Sequence, residues 1–336
     1  MPVVLSPRTP AGSVEELVAG ATRREQFRNA DGKSGSRFER VEIGGERYVL
    51  KLLHVDDDWI ARSLGDVRCR PLLVWSSGLL DAVPLGIDHT VVRAAAGSGR
   101  HGWGAALLMR DVGEHLVPEG DDVIPLEQHA GLLDGMAELS AHFWGWTDDI
   151  GLLPQSVRLS FFGPGMLAVE GGLGWPDPVP HIAEEGWQRF GSLAPPAALD
   201  VVTQLRREPW LLAEALESTP STLLQGDWKM GNLGSWPDGR TILLDWAYPG
   251  EGPVCHDLAW YLALNRARLP ESKEDSISRF RRALTRHGVS TDGWWERQLG
   301  LCLLGALVQF GWEKALGDES ELAWWTTAAL EGSDWL

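Results

Sequence analysis

Residues 223–262 read LLQGDWKMGNLGSWPDGRTILLDWAYPGEGPVCHDLAWYL. Two short apolar runs, STLLQGD at 221–227 and RTILLDW at 240–246, read as strands. Gly231-Asn232-Leu233-Gly234 and Pro237-Asp238-Gly239 supply the turn residues between them. Asp227 and Asn232 stand five apart in the turn leaving the first strand, and Asp245 ends the second. A hairpin-like return would bring all three together.

Phosphoryl transfer needs that combination of groups. A carboxylate positions the attacking hydroxyl and accepts its proton, while oxygen ligands hold magnesium on the phosphates of a nucleotide. Lys229, between Asp227 and Asn232, could neutralise charge developing on the transferred group. Taken singly, each residue has an ordinary explanation. Asp227 suits a turn, Asn232 a cap, Asp245 a strand end and Lys229 a solvated loop. Their joint order and spacing, with a lysine on a strand upstream, favour a nucleotide site.

The string Asp227-Trp228-Lys229-Met230-Gly231-Asn232 resembles the Asp-x-x-x-x-Asn catalytic loop of the aminoglycoside phosphotransferase and choline kinase group. LLDWAYPGEGPVCHDLAWYL is similar to the metal-binding segment of that group and the helix after it. The resemblance implies Asp227 as catalytic base, Asn232 and Asp245 as Mg2+ ligands, and Lys229 placed as the catalytic-loop lysine of protein kinases is. It also implies that Asp257 braces the catalytic loop. Upstream, Lys51 matches the strand lysine that contacts the α- and β-phosphates of ATP. Leu107-Leu108-Met109-Arg110-Asp111-Val112 resembles the hinge between lobes, with backbone groups of Arg110 and Val112 at the adenine edge. The likeness covers roughly residues 30 to 265. Two positions depart from the pattern. Gln225 stands where the group usually has histidine, and residues 55–77 contain no glutamate to pair with Lys51. Asp66 could take that place on a shorter side chain.

Working outward, the fold class implied is α+β, a two-lobed protein-kinase-like fold. A small antiparallel lobe spans residues 1–111 and a larger, mainly helical lobe spans 112–336. Ser13-Val14-Glu15-Glu16 fits a capping box and predicts a short helix. SRFERVEI and ERYVLKLL predict a hairpin about Gly44-Gly45. In its second strand Val49, Lys51 and Leu53 share one face, and Tyr48, Leu50 and Leu52 the other. A helical stretch is expected over 59–79, and strands at DHTVVRAAA and WGAALLMRDV. Helical periodicity marks 126–145, 197–216, 272–288 and 292–316. The glycine- and proline-rich segment 163–180 reads as a loop or lid. Gly32 and Gly35 form either a phosphate-covering loop or an ordinary turn. DGKS also mimics part of a P-loop, but Phe27 occupies the position where that motif needs glycine.

The totals set limits. The chain has 336 residues and a formal net charge of −17, which should repel nucleic acid and anionic membranes. The N-terminus lacks the basic and apolar regions of a signal peptide, no apolar run reaches membrane-spanning length, and a cytoplasmic location is expected. Cys69, Cys255 and Cys302 suit reduced, buried thiols. The function expected is transfer of the ATP γ-phosphoryl group to a hydroxyl of a small, cationic acceptor of the aminoglycoside, amino sugar or amino alcohol type. Asp292, Glu296, Glu313, Trp294 and Trp295 are candidate acceptor contacts. The alternatives are a nucleotide-binding pseudokinase, a protein kinase and a non-nucleotide binding protein. Only about a dozen residues separate Asp245 from Asp257, which argues against a peptide-docking activation loop. The oligomeric state is left open.

Overall fold

The computed structural model describes residues 4–28, 35–98 and 102–336. Ser13 caps α1 (Val14–Leu17) by accepting the Glu16 N–H at 3.1 Å. Then come β1 (Ala21–Phe27), β2 (Arg37–Ile43) and β3 (Glu46–His54). Gly44 and Gly45 both have positive φ, 60° and 85°, the geometry of a two-residue turn whose twist suits a hairpin. Ile43 accordingly faces Glu46 in register. Next are α2 (Trp59–Ser63), α3 (Arg70–Ser77) and β4 (Ile87–Asp88). With β5 (Val91–Ser98) and β6 (Trp103–Arg110), the antiparallel sheet has the order β1-β2-β3-β6-β5.

Alternation along the strands gives this sheet two apolar faces. Val41, Leu50, Ala106 and Leu108 pack with Leu17 of α1, whereas Leu53, Ala94, Ala105 and Leu107 join the main core. Lys51 shares the Leu53 face, as the period of two requires. The strand β1 carries no such alternation. It is an edge strand, exposed between its half-buried ends Ala21 and Phe27, so its sequence shows no apolar face.

The larger, helical lobe holds α4 (Leu126–His142), α5 (Gln155–Leu159), α6 (Pro164–Gly172), α7 (Pro178–Leu193), α8 (Pro196–Arg207) and α9 (Pro209–Glu217). Short strands follow: β7 (Ser221–Leu224), β8 (Leu233–Ser235), β9 (Thr241–Leu243) and β10 (Gly250–Pro253). The lobe ends with α10 (Cys255–Leu264), α11 (Lys273–Arg286), α12 (Trp295–Leu316) and α13 (Glu319–Ser333). Helix α12 is long and apolar enough to cross a membrane by composition, contrary to the reading of its sequence, but 83% of its most apolar window is buried inside the protein. A helix apolar all round suits such a core position. All three cysteines are buried and free.

Four other expectations need correction. The segment 163–180 is not a loop. It forms α6, a turn, and the start of α7, with Pro164 and Pro178 in the first turns of the two helices, where a missing N–H costs nothing. The helix expected over 197–216 breaks at Pro209 into α8 and α9. The stretch 59–79 divides into α2 and α3, because Gly65 adopts φ 59° and Asp66 caps the turn that follows. Finally, β7 pairs with β10 rather than with β9, which lies between β4 and β8.

One residue links this architecture to pH. The Val91 N–H donates to the His89 carbonyl at 2.8 Å and is shared with the ring Nδ1 of half-buried His89 at 3.1 Å, a contact that favours the neutral ring. Burial lowers its pKa to about 4. An unfolded chain takes up that proton near the ordinary value of about 6.5. The stability His89 contributes is therefore complete above about 6.5 and is lost as pH falls toward 4. At most this is roughly 3 kcal/mol. Thermal melts of His89→Gln and the parent should differ in acid sensitivity across that window, the variant losing less. Parallel curves would contradict the assignment.

Candidate active site

The loop after β7 is held by side chains from α10. The Asp257 carboxylate accepts the backbone N–H groups of Gln225 and Gly226, each at 3.1 Å. Burial pushes this carboxyl up to about 6, against the pull of Arg158 and those two N–H groups. At the loop's other end Asn265 accepts the Met230 N–H at 2.8 Å and donates to the Trp228 carbonyl at 2.9 Å. Gln225 ties the loop to the metal-segment candidate. Its amide donates to the carbonyls of Leu244 (3.0 Å) and Asp245 (2.7 Å) and accepts the Asp227 N–H at 2.8 Å. An amide both donates and accepts, so it can make this three-point connection.

These restraints fix the polar residues of the cleft. Asp227 is 4% exposed. Its Oδ2 accepts from Asn232 Nδ2 at 2.7 Å and lies 3.4 Å from Lys229 Nζ, and its Oδ1 accepts from Trp260 Nε1 at 3.0 Å. Asn232 Nδ2 donates also to the Asp227 carbonyl at 3.0 Å. With both amide hydrogens committed, the Asn232 side-chain oxygen is the atom that could hold a metal ion. Asp245 has φ 55°, a left-handed conformation that costs energy in a non-glycine residue. Its Oδ1 lies 2.9 Å from Lys51 Nζ. Burial works against ionisation of Asp245, but Lys51 and Lys229 outweigh it and hold the carboxyl below its ordinary range.

Lys51, Asp227, Lys229, Asn232 and Asp245 thus line one cavity. An adjoining cleft of about 410 Å³ is roofed by Phe27, Phe38 and Val49 and floored by Gly231 and Leu244, with Met109, Arg110 and Val112 along its edge. Phe38 and Gly231 border both spaces, so the two lie side by side. Arg110 pairs its side chain with Asp88, and its backbone N–H donates to the Thr90 carbonyl at 3.0 Å. A largely apolar cleft next to a cavity lined by cations and carboxylates suits a nucleotide.

Some expected residues fall elsewhere. Gly32 lies outside the described residues. Gly35 is pressed against the Asp57 carbonyl, where a Cβ would overlap the oxygen. Asp66 is not the partner of Lys51, since its carboxylate caps the N–H groups of Arg68 and Arg70 at 3.2 and 2.9 Å. The ion pair of Lys51 is with Asp245, and Asp58, overlooked in the sequence, is a further acid that lines the cavity and interacts electrostatically with Lys51. Burial raises its pKa, while the backbone N–H groups it caps and the Lys51 charge pull it down. Asp292, Glu296, Glu313, Trp294 and Trp295 line neither space. Trp295 is core, and Glu296 pairs with Arg281. Trp260 and Asn265 were not legible because their partners in the loop are distant in sequence.

This architecture is the two-lobed kinase-like fold of the choline kinases and aminoglycoside phosphotransferases. The choline kinase LicA from Streptococcus pneumoniae superposes with a TM-score of 0.50 at 11% identity, over 95% of each chain. The GDP complex of aminoglycoside 2′-phosphotransferase-IIIa gives 0.52 at 13% identity, over 94% of each chain. A microcompartment-associated aminopropanol kinase gives 0.50 at 15%, over 92% of this chain and 90% of that one. No protein-family model matches the sequence, and no curated protein matches it.

Proposed function

We propose that the chain is an ATP- and Mg2+-dependent phosphotransferase that moves the γ-phosphoryl group to a hydroxyl of a small molecule. The observation carrying this reading is the convergence of Lys51, Asp227, Asn232 and Asp245 in one cavity that adjoins a largely apolar cleft. In the proposed mechanism Asp227 orients the acceptor hydroxyl and takes its proton. Lys51 and Lys229 offset phosphate charge. The backbone of Arg110 and Val112 holds the base edge, with Met109 behind it.

The donor set fits magnesium. Asp245 offers a carboxylate and Asn232 an amide oxygen, both hard ligands. Among the described residues no group of three His, Cys, Asp or Glu side chains could hold a metal alone, so phosphates would complete the coordination, as is usual for this ion. Bound there, magnesium would neutralise phosphate charge and fix the reacting group in line.

An inactive, nucleotide-binding reading drew on Gln225 and the missing glutamate. Gln225 makes the bonds that join the two catalytic segments, and Asp58 offers a carboxylate beside Lys51, so both motives weaken. For the acceptor, the net charge of −17 favours a cation. Choline, aminopropanol and aminoglycosides, the acceptors in the relatives' names, are all hydroxyl-bearing amines. Calorimetry with ATP should show saturable binding that strengthens with magnesium, and Asp245→Asn should remove that dependence, weakening Mg-ATP by about tenfold or more. A flat titration for the parent chain would contradict the proposal.

A further inference from the structure

Asp257 and Trp260 stand three apart on α10, so both side chains leave the same helical face. Asp257 holds the backbone at the start of the catalytic-loop segment. Trp260 reaches past it to the Asp227 carboxylate, donating from Nε1 to Oδ1 at 3.0 Å. The indole is 4% exposed and its ring is fixed by Phe310, edge-on at 4.8 Å between centroids, and by Tyr248 at 5.8 Å. An indole N–H only donates, and it has one direction once the ring is packed.

The two oxygens of Asp227 are therefore unequal. A carboxylate has about four lone-pair sites, two on each oxygen. Oδ2 meets Asn232 Nδ2 and Lys229 Nζ, whereas Oδ1 meets Trp260 Nε1. We propose that Trp260 is a positioning residue for the base, holding Asp227 in the rotamer that presents the remaining lone pair of Oδ1 to the acceptor hydroxyl. The inference rests on the phosphotransferase reading above. Without the indole donor, the carboxylate rotates about its terminal torsion, which is broad and weakly restrained. The loss falls on the chemical step and leaves the nucleotide slot untouched, since Trp260 borders neither nucleotide space. Misplacement of a reacting group by a fraction of an ångström is costly to rate even where binding is unchanged.

Trp260→Phe tests this, with Phe310→Leu as a packing control that loosens the same ring but keeps the N–H. Trp260→Phe should lower kcat by about tenfold or more, the scale of one hydrogen bond to a charged group. Its KM for ATP should stay within about twofold, and Phe310→Leu should keep kcat within about threefold of the parent. Equal losses of kcat in both variants, tracking their melting temperatures, would overturn the proposal. A second readout needs no turnover. The Trp260 indole proton, assigned in NMR spectra by its loss in Trp260→Phe, should shift upfield in Asp227→Asn as its charged acceptor goes. An unmoved indole resonance overturns the positioning role whatever the activity. A moved resonance in a parent chain that transfers no phosphate overturns the phosphotransferase reading and, with it, the catalytic role of Trp260.

Discussion

Asp227→Asn should lower acceptor-dependent turnover by about 10² to 10⁴-fold, the usual contribution of a positioned general base. The substitution keeps the volume of the side chain and leaves an amide oxygen able to accept from Trp260 or Asn232. It removes the carboxylate proposed to take the hydroxyl proton. Lys51, Asp245 and the hinge are untouched, so the affinity for Mg-ATP should stay within about threefold. That separation distinguishes a base from a loop brace. A brace would affect binding and stability along with rate. Steady-state ADP release and calorimetry on the same preparation measure both quantities, and a rate loss below about tenfold would remove Asp227 from the role.

The largest expected effect on folding lies one residue earlier. Gly226 has φ +87°, and a Cβ there would clash with the Arg158 guanidinium and come within 2.5 Å of the Tyr248 carbonyl oxygen. Arg158 cannot easily withdraw. It is 1% exposed, and burial lowers its pKa to about 10 while Asp257 opposes the shift. Gly226→Ala should therefore cost the left-handed penalty of about 1–2 kcal/mol plus the clash, in total about 3 kcal/mol or more. Gly239 provides the matched control, because its φ is +91° but nothing lies within 4 Å of an added Cβ. Gly239→Ala should cost only about 1–2 kcal/mol. Calorimetric melts should place Gly226→Ala well below Gly239→Ala. Equal destabilisation would mean that Arg158 and the Tyr248 carbonyl give way.

The parts of this site legible in the sequence are those whose chemistry demands a residue type at a fixed spacing. Asp227, Asn232 and Asp245 lie within 19 positions, and turn residues between them limit how the chain returns. Lys51 was legible because a strand's period of two set it between apolar neighbours on one face. The hairpin at Gly44-Gly45 followed from the positive φ both positions need. The means by which Asp227 and Asp245 meet was less legible. It is not a hairpin between their strands but the β8–β9 pair together with the Gln225 side chain.

What escaped has physical causes. An edge strand such as β1 buries too little to show a pattern. Helix α6 is glycine-rich and depends on packing by Met166 and Leu167 rather than on propensity. Pro209 divides a continuous periodicity by removing one N–H. Trp260 and Asn265 act through hydrogen bonds spanning more than 30 residues, which local patterns cannot contain. The candidate acceptor contacts near Trp294 lie outside both spaces for the opposite reason. Acidic and aromatic side chains are plentiful in this chain, and composition alone does not say which of them face the cleft.

The most direct test is acceptor-dependent ADP release with Mg-ATP across aminoglycosides, amino sugars, sugars and amino alcohols, with the parent chain and Asp227→Asn run side by side. The account predicts release with at least one hydroxyl-bearing amine in the parent and its near-complete loss in the variant. Release that is equal in both proteins, or Mg-ATP binding with no release for any acceptor, would contradict it.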